Sequence, residues 1–199
     1  MPLFNILIRT SNRPKFFERC LRSVEAQTLK DWRIIVSADN EETEKYVKKY
    51  PYEYISVHPT GVQCFWNLYC NDLLSYVHEG WVMYLDDDVT MVPEALETIS
   101  QYADSVNKVV IWKYKFASDR IIPEELFWKK PPVRKHIDTG CFCHYSSQRV
   151  QWDSFRAADF RVIRSLWYKR LKFVWIDKVL FMAGNNGDVG KKNDLILSN

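Results

Sequence analysis

The apolar positions of this chain follow two spacings in turn, and the switches between them mark out the elements. Phe4-Asn5-Ile6-Leu7-Ile8 is a β-rich run that breaks into the polar stretch Arg9-Thr10-Ser11-Asn12-Arg13-Pro14, after which Phe16, Phe17, Cys20, Leu21 and Val24 recur at helical spacing. Trp32 to Ser37 reads as a second strand, running through Ala38-Asp39-Asn40 into an acidic helix start at Glu41-Glu42. Tyr52 to Val57 alternates like a short third strand closed by His58-Pro59-Thr60-Gly61. Residues 62–79 carry Val62, Phe65, Leu68, Leu73, Leu74 and Val77 at helical spacing, and Gly80 stops that helix. The apolar run Trp81-Val82-Met83-Tyr84-Leu85 follows and ends on Asp86-Asp87-Asp88. The succession β-α-β-α-β-α-β predicts an α/β fold with a parallel, doubly wound sheet.

Past Pro93 the pattern is weaker. It predicts a helix over Glu94 to Tyr102, a strand over Lys108 to Tyr114, and an extended or partly helical excursion over residues 117–137, punctuated by Pro123, Pro131 and Pro132. A turn and short strand follow at Asp138 to Tyr145, then a helix from about Trp152 to Arg170, a late strand at Phe173 to Ile176, and a polar tail from Gly184 that is expected to be mobile. At 199 residues this suits one domain.

Composition narrows the class. No apolar run is long enough to span a bilayer, and Met1-Pro2-Leu3-Phe4-Asn5 lacks a signal-like pattern, so a soluble cytoplasmic protein without an integral membrane segment is expected. A net charge of +3 argues against a dedicated nucleic-acid binder, and five cysteines without a secretory signal are expected to be reduced. Aromatic residues make up 15% of the chain, including eight Trp; core packing accounts for most of them, and an exposed Trp would be a good platform for flat apolar ligand faces.

The chemistry gathers where strands end. Three adjacent carboxylates repel one another, and a hard divalent cation would relieve them. Strand alternation puts Asp86 and Asp88 on one side and Asp87 on the other. The competing reading is a solvated acidic turn. The Arg9–Pro14 loop, with two cations and two hydroxyls, suits a diphosphate, or else Ser11 or Asn12 merely caps the next helix. Asp39 could accept hydrogen bonds from a base or ribose, or cap the helix near Glu41. Cys141-x-Cys143-His144 invites a zinc reading, but a second ligand pair at structural-zinc spacing is lacking, which favours alternating cysteines in a reduced core.

Taken together, Ile6-Leu7-Ile8-Arg9-Thr10 with Pro14, Leu21-x-Ser23-Val24-x-x-Gln27-Thr28, Ile34 to Asp39, Gly61 and Asn67, Tyr84-Leu85-Asp86-Asp87-Asp88 and Thr139-Gly140 resemble the GT-A fold of nucleotide-sugar glycosyltransferases, most nearly the family 2 type in its compact bacterial or virus-encoded form. The resemblance implies a Rossmann-like, mostly parallel sheet flanked by helices, with a D-x-D at the end of a central strand, and a single domain with a nucleotide-binding half over about residues 1–100 and an acceptor-binding half over about 101–199. It implies a UDP-sugar donor, a carbohydrate acceptor and Mn²⁺ or Mg²⁺. Arg9, Thr10, Arg13, Asn67 and Asp87 would lie at the nucleotide and Asp39 at its base, while Asp86 would approach the ribose or the metal and Asp88 would bind the metal. The catalytic base would be Asp159, with Asp153 as the alternative. The chain departs from the pattern at Ala158, where an acid is usual, and at Trp66, where an Arg is common. The late metal-binding His has only His136 and His144 as candidates. Trp128 and Trp152 are the candidate acceptor platforms. The implied activity is inverting hexosyl transfer from UDP-glucose or a similar donor; the alternatives are a nucleotidyltransferase, which normally carries a Gly-rich loop that Arg9–Pro14 lacks, or a non-catalytic, metal-dependent carbohydrate-binding domain.

Overall fold

A computed structural model describes residues 3–184, and the tail expected to be mobile lies, beyond Gly184, outside them. Strands β1 (Phe4–Thr10), β2 (Trp32–Ala38), β3 (Glu53–Ser56) and β4 (Trp81–Asp86) alternate with helices α1 (Pro14–Glu25), α2 (Glu41–Val47) and α3 (Tyr69–Leu74). They form a parallel block in the order β3-β2-β1-β4, with Arg9 in register with Ser37 on one side and Asp86 on the other. Phe4 to Ile8 and Trp81 to Leu85 are buried without a break, because strands covered on both faces have no solvent side on which to place polar residues. The first half of the chain thus has the parallel architecture its periodicity predicts. Helix α1 buries the expected Phe16, Phe17, Cys20, Leu21 and Val24, with Pro14 at its first turn.

The second half makes the sheet mixed. After β5 (Val89–Met91) and α4 (Ala95–Ser100) come β6 (Lys108–Lys115), β7 (Ile121–Ile122), β8 (Phe142–Tyr145), α5 (Ala158–Tyr168) and β9 (Lys172–Ala183). Strand β8 is antiparallel to both β4 and β6 and joins the parallel block to the pair β6–β9, with β5 at the far edge. Several expectations need correcting. The helix expected over 62–79 is a 3₁₀ turn at Phe65–Asn67 followed by the short α3, and the one expected from about Trp152 begins at Ala158. The late strand expected over four residues runs for twelve, because Asp177 and Lys178, which break its apolar run, sit where the β6–β9 register shifts. Among the described residues no helix is long and apolar enough to cross a membrane.

Candidate active site

The carboxyl ends of β1, β2 and β4 meet at one edge, and the sequence's charged residues gather there. Asp86 closes β4, and Asp87 and Asp88 form the turn into β5. Each carboxylate has a cation beside it, supplied by β1 and the loop that follows. Both Nε and Nη2 of Arg9 donate to Asp86 Oδ1, the first at 3.0 Å. Arg13 grips Asp87 through Nε at 3.1 Å and through Nη2, and reaches Asp88 Oδ2 through Nη1 at 3.3 Å. Thr10 donates to Asp87 Oδ2 at 2.7 Å, and its oxygen lies 2.7 Å from the Tyr46 hydroxyl. Arginines therefore offset the mutual repulsion of the three carboxylates in the fold, because parallel pairing brings the β1 loop against the end of β4.

Strand alternation predicts the outcome for each carboxylate. Asp86 and Asp88 line a cleft of about 460 Å³, while Asp87 is fully buried beneath it, where burial raises its carboxyl above the usual range against the pull of Arg13. Asp87, expected at the nucleotide, instead anchors Arg13 and Thr10 from below. The cleft is lined by Arg9, Thr10, Ser11, Asn12 and Arg13 from β1 and the loop after it, and by the aromatic residues Phe65, Trp66 and Tyr69. Neither Ser11 nor Asn12 caps α1, whose N-cap is Arg13 without a side-chain bond, so both remain available to the cleft. Trp66 is 50% exposed, and the 3₁₀ turn carrying it is held by Arg9 Nη1 on the Trp66 carbonyl at 3.3 Å. Tyr69 is buried, with a hydroxyl that finds no hydrogen-bond partner among the described residues. Burial, with Asp39 and Asp72 adding negative charge, pushes its phenol up to about 12.

Asp39 ends β2 but does not cap α2; Asn40 does, accepting from the Thr43 backbone N–H at 2.9 Å, while its Nδ2 donates to Asp39 Oδ1 at 2.6 Å. Asn67 lies one step further in, where its Oδ1 accepts from Arg9 at 3.4 Å and its Nδ2 donates to the Phe155 carbonyl at 3.0 Å. It braces the site and does not line the cleft.

Arg9, Trp66 and Asp86 also border a second cavity of about 270 Å³, whose other lining includes Asn67, Asp138 and Asp159. Asp159 stands in the first turn of α5, and burial raises its carboxyl above the usual range. Asp138, on the loop before β8, is pushed up to about 7 by burial and by the charges of Asp159 and Asp86. Sequence reasoning missed Asp138; its place just before Thr139-Gly140 was the available signal. The alternative base, Asp153, is committed elsewhere: Arg161 binds both of its oxygens, and that bond holds its carboxyl below the usual range. Ala158, where an acid is usual, is 2% exposed and borders the same cavity as Asp159.

The acceptor platforms fare differently. Trp152 is 1% exposed and packs on Tyr84 at a ring distance of 4.8 Å, so it is a core residue and not a stacking surface. Trp128 packs against Trp175 at 5.1 Å beneath the Lys113 ammonium and borders neither cavity. Trp66, unremarked as a platform, is the exposed Trp at the junction of the two. Cys141, Cys143 and His144 do not converge as zinc ligands: the Cys141 thiol bonds to the Asp138 backbone, and His144 Nε2 lies 3.0 Å from the Tyr84 hydroxyl. Burial brings His144 down to about 4, and His136 stacks on Phe127, so neither reaches the aspartates. No cluster of three or more His, Cys, Asp or Glu side chains able to hold a metal occurs among the described residues. Asp86 and Asp88 are the carboxylates that line the cleft, and their oxygens are of the kind a hard divalent ion such as Mg²⁺ or Mn²⁺ takes.

The sequence model of "Glycosyl transferase family 2" matches residues 5–143. No curated protein sequence gives a significant match. Among solved structures, S. aureus TarS 1-349 superposes with a TM-score of 0.71 at 17% identity, covering 94% of this chain and 61% of that one. S. aureus TarS 1-349 in complex with UDP-GlcNAc gives 0.74 at 16% identity, covering 92% and 58%. S. aureus TarS gives 0.72 at 16% identity, covering 92% and 36%, so this chain spans between about a third and three fifths of the structures it resembles.

Proposed function

Because the chain belongs to glycosyltransferase family 2, we propose that it transfers a hexose from a UDP-sugar to a hydroxyl of a carbohydrate acceptor. The observation that carries this reading is the junction of the two cavities. A cleft lined by cations and by aromatic rings suits a molecule that is anionic at one end and a flat ring at the other, and it shares Arg9, Trp66 and Asp86 with a second cavity lined by Asp159. UDP-GlcNAc and UDP are the molecules named in the TarS complexes, which supports a uridine nucleotide here.

In this reading Arg13, Ser11 and Asn12 hold the diphosphate, and Asp39 with Tyr69 lies at the base. A divalent ion held by Asp86 and Asp88 would supply Lewis-acid stabilisation of the departing diphosphate. Asp159 accepts the proton of the acceptor hydroxyl as its oxygen attacks the anomeric carbon. The bond from that carbon to the diphosphate oxygen breaks, and UDP leaves with the electron pair. Burial makes Asp159 a stronger base than an exposed carboxylate, which suits it to activating a weak nucleophile. Attack from the side opposite the leaving group inverts the configuration.

The test is Asp159→Asn. Transfer is expected to fall by about 10²-fold or more while UDP affinity is retained, because the change removes the base and leaves the cleft intact. Transfer at the unaltered rate would overturn the assignment of the base.

A further inference from the structure

A third cavity, of about 280 Å³, continues from the Asp159 chamber on the side away from the donor cleft. The two share Asp138, Ala157 and Asp159, and the third also has Arg120 and Lys135 in its lining, neither of which borders the cationic cleft. Asp159 thus lines both the cavity that borders that cleft and the one that Lys135 lines. The surface beside Lys135 has an uneven charge. The segment between β7 and β8 carries Lys129, Lys130, Arg134 and Lys135, all exposed. None of the four makes an ion pair among the described residues. The acids just upstream are already engaged: Glu124 pairs with Arg120 at 2.8 Å and Glu125 with Lys113 at 2.9 Å. The chain as a whole carries a net charge of +3, so these four cations exceed its entire surplus.

Uncompensated like charges on a short segment repel one another, and the fold gains nothing from keeping them together. Lys129 and Lys135 are moreover held at φ of 57° and 73°, a left-handed conformation that costs a non-glycine residue about 1 kcal/mol or more. Arg120 fixes the second of these by donating to the Lys135 carbonyl at 3.1 Å. Lys135, held in that conformation, lines the same cavity as Asp159, and the other three cations are exposed on the same segment, an arrangement that has a use if what enters is anionic.

We propose that the acceptor is an anionic glycan, bearing repeated phosphodiester or carboxylate groups, whose charges rest on Lys129, Lys130, Arg134 and Lys135 while a hydroxyl reaches Asp159. This rests on the reading of Asp159 as the base. Charge on the acceptor places it without a deep pocket, since the cations steer a flexible chain and leave the aromatic edge of Trp66 to orient the reacting ring.

The experiment measures binding by the full chain of three probes of matched length: a glycerol-phosphate oligomer, an oligogalacturonate and a neutral malto-oligosaccharide. At least one of the anionic oligomers is expected to bind about tenfold or more tighter than the neutral one, with an affinity that falls as salt rises. Which one binds identifies the source of the charge. Lys135→Glu combined with Arg134→Glu should lose about tenfold in that affinity, while Lys135→Arg should keep it. Melting temperature checks that the variants fold. Equal binding of the neutral oligomer, absence of salt dependence, or an unchanged affinity in the charge-reversed variant would overturn the proposal, as would binding only to anionic lipid vesicles. UDP binding by the unaltered protein separates the two readings: UDP bound without either oligoanion refutes the anionic acceptor alone, and an oligoanion bound without UDP refutes the donor site.

Discussion

Asp87 and Asp88 are neighbours in sequence with opposite surroundings, one sealed under Arg13 and Thr10, the other facing the cleft. That division was legible, because side-chain alternation follows from the pleat alone. What the sequence hid was the partner of each carboxylate, since Arg9 and Arg13 lie more than seventy residues away and only strand pairing brings them close. Trp152 was misread for a related reason: an aromatic in a polar neighbourhood looks the same in sequence whether it faces Tyr84 or solvent. Tyr69 offers a test at this scale. Its buried hydroxyl has no partner among the described residues, and a buried polar group left unpaired costs stability. Tyr69→Phe is therefore expected to leave the melting temperature unchanged or raise it, while weakening UDP binding by about 2- to 10-fold, the worth of one hydrogen bond. Calorimetry of the two proteins checks this; equal UDP affinities would remove Tyr69 from the donor site.

Among the elements, α1 shows how a motif read as a resemblance becomes a physical device. Gln27, fully buried just past its end, donates to the carbonyls of Ser23 at 3.0 Å and Val92 at 2.7 Å and accepts from the Leu96 N–H at 2.9 Å. Ser23 accepts from the Met91 N–H at 3.1 Å, and the Thr28 N–H donates to the Pro93 carbonyl at 3.0 Å. The Ser-Val-x-x-Gln-Thr run thus clamps the segment that leaves the aspartate turn. Gln27→Met keeps the volume and strands the Val92 and Leu96 groups. It is expected to cost roughly 2 kcal/mol, or about 4–8 °C in melting temperature. A shift below a degree would show that the clamp contributes little. Elements with strong periodicity, β1, α1, β2 and β4, were legible. Strand β8 was located but not its antiparallel place between β4 and β6, because an apolar run carries no mark of which edge it joins. Helix α3 was overextended for want of any penalty in the sequence for the left-handed turn at Cys64.

On the scale of the whole molecule, the parallel half supplies the cationic cleft and the mixed half supplies α5 and the β7–β8 segment; in the proposed function these are the donor and acceptor sides. The division into a nucleotide half and an acceptor half follows from the family resemblance and belongs to that proposal. The mixed half was the less legible because Asp138 and the basic residues before it lie on a loop, where side-chain identity and not spacing carries the information. The central claim is that the cleft takes a uridine diphosphate with a divalent ion shared between protein and ligand. Isothermal titration of UDP into the protein with and without Mn²⁺ tests it most directly. Asp86 and Asp88 are the only acidic ligands lining the cleft among the described residues, so Mn²⁺ alone should bind weakly and UDP should bind about tenfold or more tighter when Mn²⁺ is present. Absence of UDP binding in both conditions would contradict the account.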